Sequence, residues 1–137
     1  MTLKQSAPPK NQRRFVNRWD ELDYLCKKVR YWLYRQRRKD KAKRFAPRLE
    51  GTLRNLPATG TAILEEEGWA LLYELQGDVR QAIVHRRREL EMMQQLHKEA
   101  ASSRYSDSTL AYMLQDRNLA DLNERQAILD RLVAESF

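Results

Sequence analysis

The segment from Phe15 to Phe45 limits what the chain can fold into more than any other stretch does. Apolar side chains recur in it at alternating spacings of four and three residues, which places them on one helix face. These side chains are Phe15, Trp19, Leu22, Cys26, Val29 and Leu33. The pattern predicts one long helix that follows an Asn17 N-cap and ends near Phe45, because Pro47 disfavours helical geometry at Ala46.

A second pattern in the same segment is basic, runs one residue out of phase with the first, and predicts a neighbouring stripe. Its members are Lys27, Arg30, Tyr34, Arg37, Lys41, Arg44 and Arg48. Between Lys27 and Arg48 there are eleven basic residues and one acid, Asp40. The repulsion between these cations is uncompensated within the helix, so the basic face favours binding to a polyanion. The apolar face requires a protein core.

The remaining composition favours a chain assembled from helices. Only four Gly and four Pro occur among 137 residues, and 42% of the residues are hydrophobic. That length allows one domain with a modest core. We therefore expect an all-α helical bundle of about five helices at residues 15–137, with a long basic N-terminal helix, preceded by a disordered basic arm at residues 1–14.

Turn residues divide the chain after Pro47. Residues 47–56 are expected to form a short packing segment, and residues 62–76 and 78–101 to form a central antiparallel hairpin that turns at Gly77. The second helix of this hairpin should turn Val79, Ala82, Ile83, Leu90, Met93 and Leu96 inward. A short helix that ends near Arg117 and a last helix introduced by a capping box at Asp121 should complete the bundle.

The central hairpin resembles a known repeat family. The residues that carry the resemblance are Ala70, Tyr73, Gly77, Asp78, Ala82 and Ile83. Residues 66–99 are thus similar to a single tetratricopeptide-type unit, and this resemblance implies a tight helical hairpin. The chain departs from the family at Arg86 and Glu89, where an aromatic and a small residue are usual, so no peptide-binding array of repeats is implied.

Positive charge is concentrated in the first third of the chain. Residues 1–48 hold 16 Lys and Arg against 4 Asp and Glu, a net +12, whereas residues 49–137 hold 10 against 15, a net −5. Such clustering is typical of nucleic-acid-binding surfaces. We expect a non-enzymatic accessory protein that contacts the RNA or DNA backbone as a subunit of a larger nucleoprotein complex. The predicted contacts are Arg13, Arg14, Lys27, Lys28, Arg30, Tyr34, Arg35, Arg37, Arg38, Lys41, Lys43, Arg44 and Arg48.

Three tyrosines lie among these charges, and aromatic rings beside arginine are common platforms for unpaired bases. For Tyr34, on the stripe, stacking and packing are equally supported, whereas Tyr24 and Tyr31 favour packing. The alternative function is a protein-interaction adaptor, in which the basic helix and the tetratricopeptide-like hairpin dock an acidic partner protein. Self-association is left open, because the apolar seam also suits a coiled-coil partner.

Two charged triplets face each other across the predicted hairpin. Glu65 to Glu67 lie about as far before Gly77 as Arg86 to Arg88 lie after it. Ion pairs between the two helices are the favoured interpretation, and a second anion site formed by the arginines is the alternative.

Signatures of catalysis are lacking in the sequence. It contains no Gly-rich phosphate loop, nucleophile elbow or Cys/His spacing for a metal, so we expect no enzyme, cofactor or metal site. The single cysteine, Cys26, lies on the apolar seam and is predicted to be a core residue. No apolar run reaches bilayer length and no secretory leader is evident, which predicts a cytoplasmic protein that does not associate with membranes.

Overall fold

The computed structural model describes the backbone of residues 17–57, 62–102 and 108–136, and the side chains of these residues except 99–102 and 108–118. Within these ranges the chain is an all-α bundle, as the composition predicts. Its helices are α1 (Arg18–Arg30), α2 (Lys39–Lys43), α3 (Ala46–Arg54), α4 (Ala62–Leu75), α5 (Val79–Ser102) and α6 (Ser108–Glu135), and a π-helical turn (Tyr31–Arg35) extends α1. The predicted basic arm and Phe15 lie outside the described residues.

The long N-terminal helix begins as predicted and then breaks. Asn17 caps α1 by accepting a hydrogen bond from the Asp20 amide at 2.9 Å. The chain then widens into the π-helical turn and leaves the helix at Arg37, whose φ is +52°. The prediction of one helix up to Phe45 was therefore wrong, because a left-handed residue and not a proline ends it.

Pro47 was predicted to disfavour helical geometry at Ala46, but α3 begins at Ala46. Pro47 lies in the first turn of α3, where a missing amide hydrogen costs nothing because that hydrogen has no partner within the helix. The short segment predicted at 47–56 is confirmed as this helix, and its Leu49 and Leu53 are buried.

The first apolar cluster joins α1, α2, α3 and α4. Leu22, Cys26 and Val29 of the predicted seam are fully buried in it, together with Leu25, which the pattern did not include. Gly68 lets α4 approach α3 closely, since a Cβ atom at Gly68 would lie 2.7 Å from Leu53 Cδ2 of α3. The alternating four- and three-residue spacing thus identified the buried face of α1, although that face also includes Leu25.

The predicted antiparallel hairpin of α4 and α5 is confirmed. Gly77 adopts a φ of +81°, and the Asp78 carboxylate caps α5 by accepting from the Gln81 amide at 3.2 Å. Helix α4 contacts α1, α2, α3 and α5, as expected for a central helix. In α5, however, the predicted inward residue Leu96 is 51% exposed.

The C-terminal part of the bundle is one helix. Residues 108–135 form α6 without a break, so the predicted boundary near Arg117 and the capping box at Asp121 were wrong. No glycine or proline occurs between them to interrupt a helix once it is packed. Helix α6 packs along α5 in a second apolar cluster, made of Ala82, Ile83, Leu90, Leu122, Ile128, Leu129 and Leu132.

Among the described helices, none combines the length and the apolar character that crossing a bilayer requires.

We expect Cys26 to be unreactive in the native protein. Its side chain is fully buried, and burial raises the pKa of the thiol well above its usual value. Since the thiolate is the reactive species, a thiol reagent at neutral pH should modify the folded protein at least about 100-fold more slowly than the protein in denaturant. Rapid modification without denaturant would contradict the core placement of Cys26. The chain has one cysteine, so the signal is unambiguous.

Candidate functional site

Four buried charged side chains and one partly exposed arginine form a network at the centre of the bundle. Arg86 of α5 is 1% exposed and donates to Glu89 at 2.7 Å and to Glu67 of α4 at 3.4 Å. Arg125 of α6 bridges the same two carboxylates, with Nη2 2.9 Å from Glu67 and Nε 3.0 Å from Glu89. Arg30 of α1 reaches Glu67 at 3.4 Å, so the network ties four helices together.

Tyr34 extends this network from the π-helical turn. Its hydroxyl donates to Glu74 at 2.5 Å and accepts from Arg86 at 3.1 Å, and the Arg131 guanidinium lies 4.8 Å from the centre of its ring. Arg131 also pairs with Glu74 at 2.9 Å. Tyr34 packs against both apolar clusters and therefore joins the two halves of the core.

Burial shapes the titration of these groups. It raises the pKa of the Tyr34 hydroxyl and of the Glu89 carboxyl above their ordinary values. Burial alone would lower the pKa of Arg86, but the surrounding Tyr34, Glu89 and Glu67 raise it well above the ordinary value. Arg86 is therefore a permanent buried cation. The network is a structural element, and Tyr34 is not free to stack on a ligand.

The two charged triplets meet as predicted, but only in part. Glu67 pairs with Arg86, and Glu66 pairs with His85. Arg87 and Arg88 are exposed, so the prediction of inter-helix pairs is confirmed for Arg86 and wrong for its two neighbours.

Four of the predicted cationic contacts have acidic partners among the described side chains. Lys27 pairs with Asp23 at 2.8 Å, and Arg38 pairs with Asp40 through two hydrogen bonds at 3.0 and 3.1 Å. Arg48 makes two hydrogen bonds to Glu21, at 3.0 and 3.1 Å. Arg30 is held by Glu67. The expectation that repulsion between the cations of residues 27–48 is uncompensated was therefore wrong for Lys27, Arg30, Arg38 and Arg48.

Two further predicted contacts lie against aromatic rings. The Lys41 ammonium lies 4.5 Å from the centre of the Trp32 ring, and the Lys28 ammonium lies 5.7 Å from that of Tyr24. The Lys41 geometry is that of a cation–π interaction, and it anchors α2 against the end of α1. Arg13 and Arg14 lie outside the described residues.

The remaining cations surround the bend between the π-helical turn and α2. We define the bend surface as the exposed side chains of Arg35, Arg37, Lys39, Lys43 and Arg44. Among the described side chains, none of the five has an acidic partner. Residues 35–44 hold seven Lys and Arg against one Asp, a net +6, and α2 packs back against the π-helical turn. The fold therefore gathers these charges into one place.

Lys39 belongs to the bend surface but was not among the predicted contacts. It lies outside the regular rhythm of the stripe, and only its charge could have identified it. Once the helix breaks, the rhythm no longer decides which cations share a surface.

We expect Arg37→Gly to stabilise the protein by about 0.5–1 kcal/mol. A left-handed residue with a side chain costs about 1–2 kcal/mol, part of which the greater flexibility of unfolded glycine offsets. The Arg38 amide spans this turn to the Trp32 carbonyl at 2.7 Å, so the left-handed conformation is fixed. Urea unfolding followed by circular dichroism measures the change. Arg35→Gly, which removes the same charge from a right-handed position, should destabilise; the same sign for both variants would contradict the assigned backbone strain.

A cleft of about 410 Å³ adjoins the bend surface. It opens between the end of α1 and the middle of α6, and its two walls differ in charge. Asp121 and Glu124 line one wall, and the other is lined by Lys27, Arg30, Tyr31, Tyr34 and Arg35. Tyr31 is 40% exposed, so its predicted packing role holds only for the edge-on contact of its ring with Trp32.

No group of three or more His, Cys, Asp or Glu side chains in the described part of the chain is arranged to hold a metal ion. Comparisons with protein-family models, with curated proteins and with solved structures found no match to this chain. The function is therefore inferred from the site itself.

Proposed function

We propose that the protein is a non-enzymatic, nucleic-acid-binding accessory protein that contacts the phosphate backbone through the bend surface. The observation that carries this proposal is the set of five exposed cations at residues 35–44 that have no acidic partner among the described side chains. Nearby cations at Arg38 and Arg48 are neutralised by Asp40 and Glu21, so the five are a distinct group.

Binding is favoured because counterions are released from the nucleic acid and because the repulsion among the five cations decreases. Five like charges on ten consecutive residues repel one another, and a phosphate backbone relieves that repulsion while its own condensed ions are released. Lysine and arginine contacts to phosphates carry no sequence information. The proposed mode is thus backbone recognition, with RNA and DNA both as candidate ligands.

The contacts that hold the bend in place favour the same proposal. Lys41 is held against Trp32, α2 packs on the π-helical turn, and Tyr34 at the base of that turn is fixed in the buried network. Because these contacts already position the backbone of the bend, we expect binding to cost little additional ordering free energy.

Salt dependence tests the proposal. If all five cations reach phosphates, the affinity should fall about 100-fold for a single strand and about 500-fold for duplex DNA between about 50 and 200 mM salt. Fluorescence anisotropy with labelled single-stranded and duplex oligonucleotides measures this slope. Absent binding, or binding that does not respond to salt, would overturn the proposal.

Location and assembly follow from this proposal and are proposals as well. A nucleic-acid-binding accessory role is consistent with a cytoplasmic protein that works as a subunit of a nucleoprotein complex. The five cations cover a small site, which by itself gives the modest affinity that additional subunits in a complex would supplement.

A second candidate function is a protein-interaction adaptor that docks an acidic partner protein on the bend surface. It is favoured by the observed antiparallel α4–α5 hairpin, the element that resembles a tetratricopeptide unit, and by exposed Leu96 and Leu119. Competition with polyglutamate for a bound oligonucleotide separates the two candidates. If polyglutamate at equal charge concentration leaves the oligonucleotide bound and only an excess displaces it, the first candidate is supported. If polyglutamate at equal charge concentration displaces the oligonucleotide, the second is supported.

A further inference from the structure

The cleft beside the bend surface has an aromatic and cationic wall facing an acidic one. Tyr31 and Arg35 stand on the α1 side, and Asp121 and Glu124 stand on the α6 side. Asp121 has no ion-pair partner among the described side chains, and Glu124 has only Arg125, with the two atoms 3.3 Å apart. Both carboxylates are exposed and can accept hydrogen bonds from a ligand.

Tyr31 presents an ordered and accessible ring in this cleft. The ring packs edge-on against Trp32 with 5.0 Å between their centres, and its hydroxyl accepts a hydrogen bond from Gln36 at 3.1 Å. Its 40% exposure leaves a surface available for stacking, and Arg35 lines the same wall. An aromatic ring next to an arginine is the usual platform for an unpaired base.

The acidic wall determines which part of a nucleotide can enter. Lys27 and Arg30 also line the cleft but are already paired with Asp23 and Glu67. The two carboxylates of the acidic wall repel a phosphate, so the interior of the cleft is less suited to the backbone than the bend surface is. They do accept hydrogen bonds from the exocyclic amino groups of bases. A nucleotide therefore fits in one orientation, with the base between the two walls and the phosphate towards Arg35.

We infer that the cleft holds one unpaired base of a single-stranded nucleic acid whose backbone lies on the bend surface. This inference rests on the proposed function and narrows its ligand to single strands. The bases of a duplex are stacked and paired, so they cannot reach Tyr31 without being extruded, which is energetically unfavourable.

The test compares one oligonucleotide as a single strand and as a duplex, using wild type, Tyr31→Leu and Tyr31→Phe. We expect wild type to prefer the single strand by about 10-fold at equal salt, Tyr31→Leu to lose about 10-fold of single-strand affinity only, and Tyr31→Phe to bind as wild type does. Thermal unfolding of each variant checks that the fold is intact.

The remaining outcomes separate the inference from the proposed function. Equal affinity for both forms, or a Tyr31→Leu variant that binds as wild type does or loses affinity for both forms alike, overturns the base site while salt-dependent binding still supports the bend surface. Absent binding to either form overturns the proposed function and the base site together.

Discussion

Replacing Arg86 with methionine should lower the free energy of unfolding by about 3–5 kcal/mol, a large part of the 5–15 kcal/mol typical of a small domain. Arg86 is fully buried, and its guanidinium serves Glu67, Glu89 and the Tyr34 hydroxyl. Methionine fills much of the volume but leaves the two carboxylates to share Arg125 and the partly exposed Arg30. Urea unfolding followed by circular dichroism measures the loss.

Two further variants control this prediction. Arg87→Met removes the same charge from an exposed neighbour and should change stability by less than about 0.5 kcal/mol. Adding Glu89→Met to Arg86→Met removes one orphaned carboxylate and should recover at least about 1 kcal/mol, because a buried pair replaced as a whole costs little. Equal stability of the two single variants would show that Arg86 does not hold the network.

Neutralising three cations of the bend surface should have the largest effect on binding. The triple variant Arg35→Gln, Lys39→Gln, Lys43→Gln keeps the side-chain length and loses three phosphate contacts. We expect the affinity for an oligonucleotide to fall on the order of 100-fold at about 0.1 M salt, and the slope of log affinity against log salt to flatten by about 2–3. Anisotropy titrations at several salt concentrations measure both quantities.

A matched variant distinguishes the bend surface from net charge. Arg80→Gln, Arg87→Gln, Arg88→Gln removes three exposed cations from α5 and changes the net charge by the same amount. It should leave the affinity within a few-fold of wild type, because long-range effects are screened beyond about 10 Å at 0.1 M salt. An equal loss in both triple variants would mean either that binding depends on overall charge or that Arg86 to Arg88 form a second anion site.

The middle of the bundle was predictable from local signals. Gly77 and Asp78 mark the turn and the cap, and the apolar residues of α4 point in nearly all directions, as those of a central helix do. The face of α1 was also predictable, since Leu22, Cys26 and Val29 follow the helical period and are fully buried. These features depend only on neighbours within a few residues.

The break in the basic helix was not predictable, because no helix-breaking residue marks it. Arg37 adopts the left-handed conformation that glycine usually supplies, and α2 is held by tertiary contacts such as that between Lys41 and Trp32. The same override, in the opposite direction, carries α6 straight through the cap-like Asp121. Packing decides in both places what local propensity does not.

The positive charge of the candidate site was predictable from the sequence, but the residues that form the site were not. Acidic partners remove Arg30 and Arg48 from the stripe, and these partners lie 37 and 27 residues away in the chain. The π-helical turn directs Tyr34 into the network, although stacking and packing were equally supported for it, and leaves Tyr31 40% exposed, although packing was favoured there. Such outcomes require knowledge of which helices meet.

Locating the bound nucleic acid on the protein tests the bend surface most directly. Amide chemical shifts of the isotope-labelled protein, followed during titration with a single-stranded oligonucleotide at low salt, report each residue separately. We predict that the largest changes fall on residues 31–44 and that Arg87 and Arg88 of α5 stay nearly unchanged. Saturable binding with its largest changes on α5, and none at the bend surface, would contradict the account.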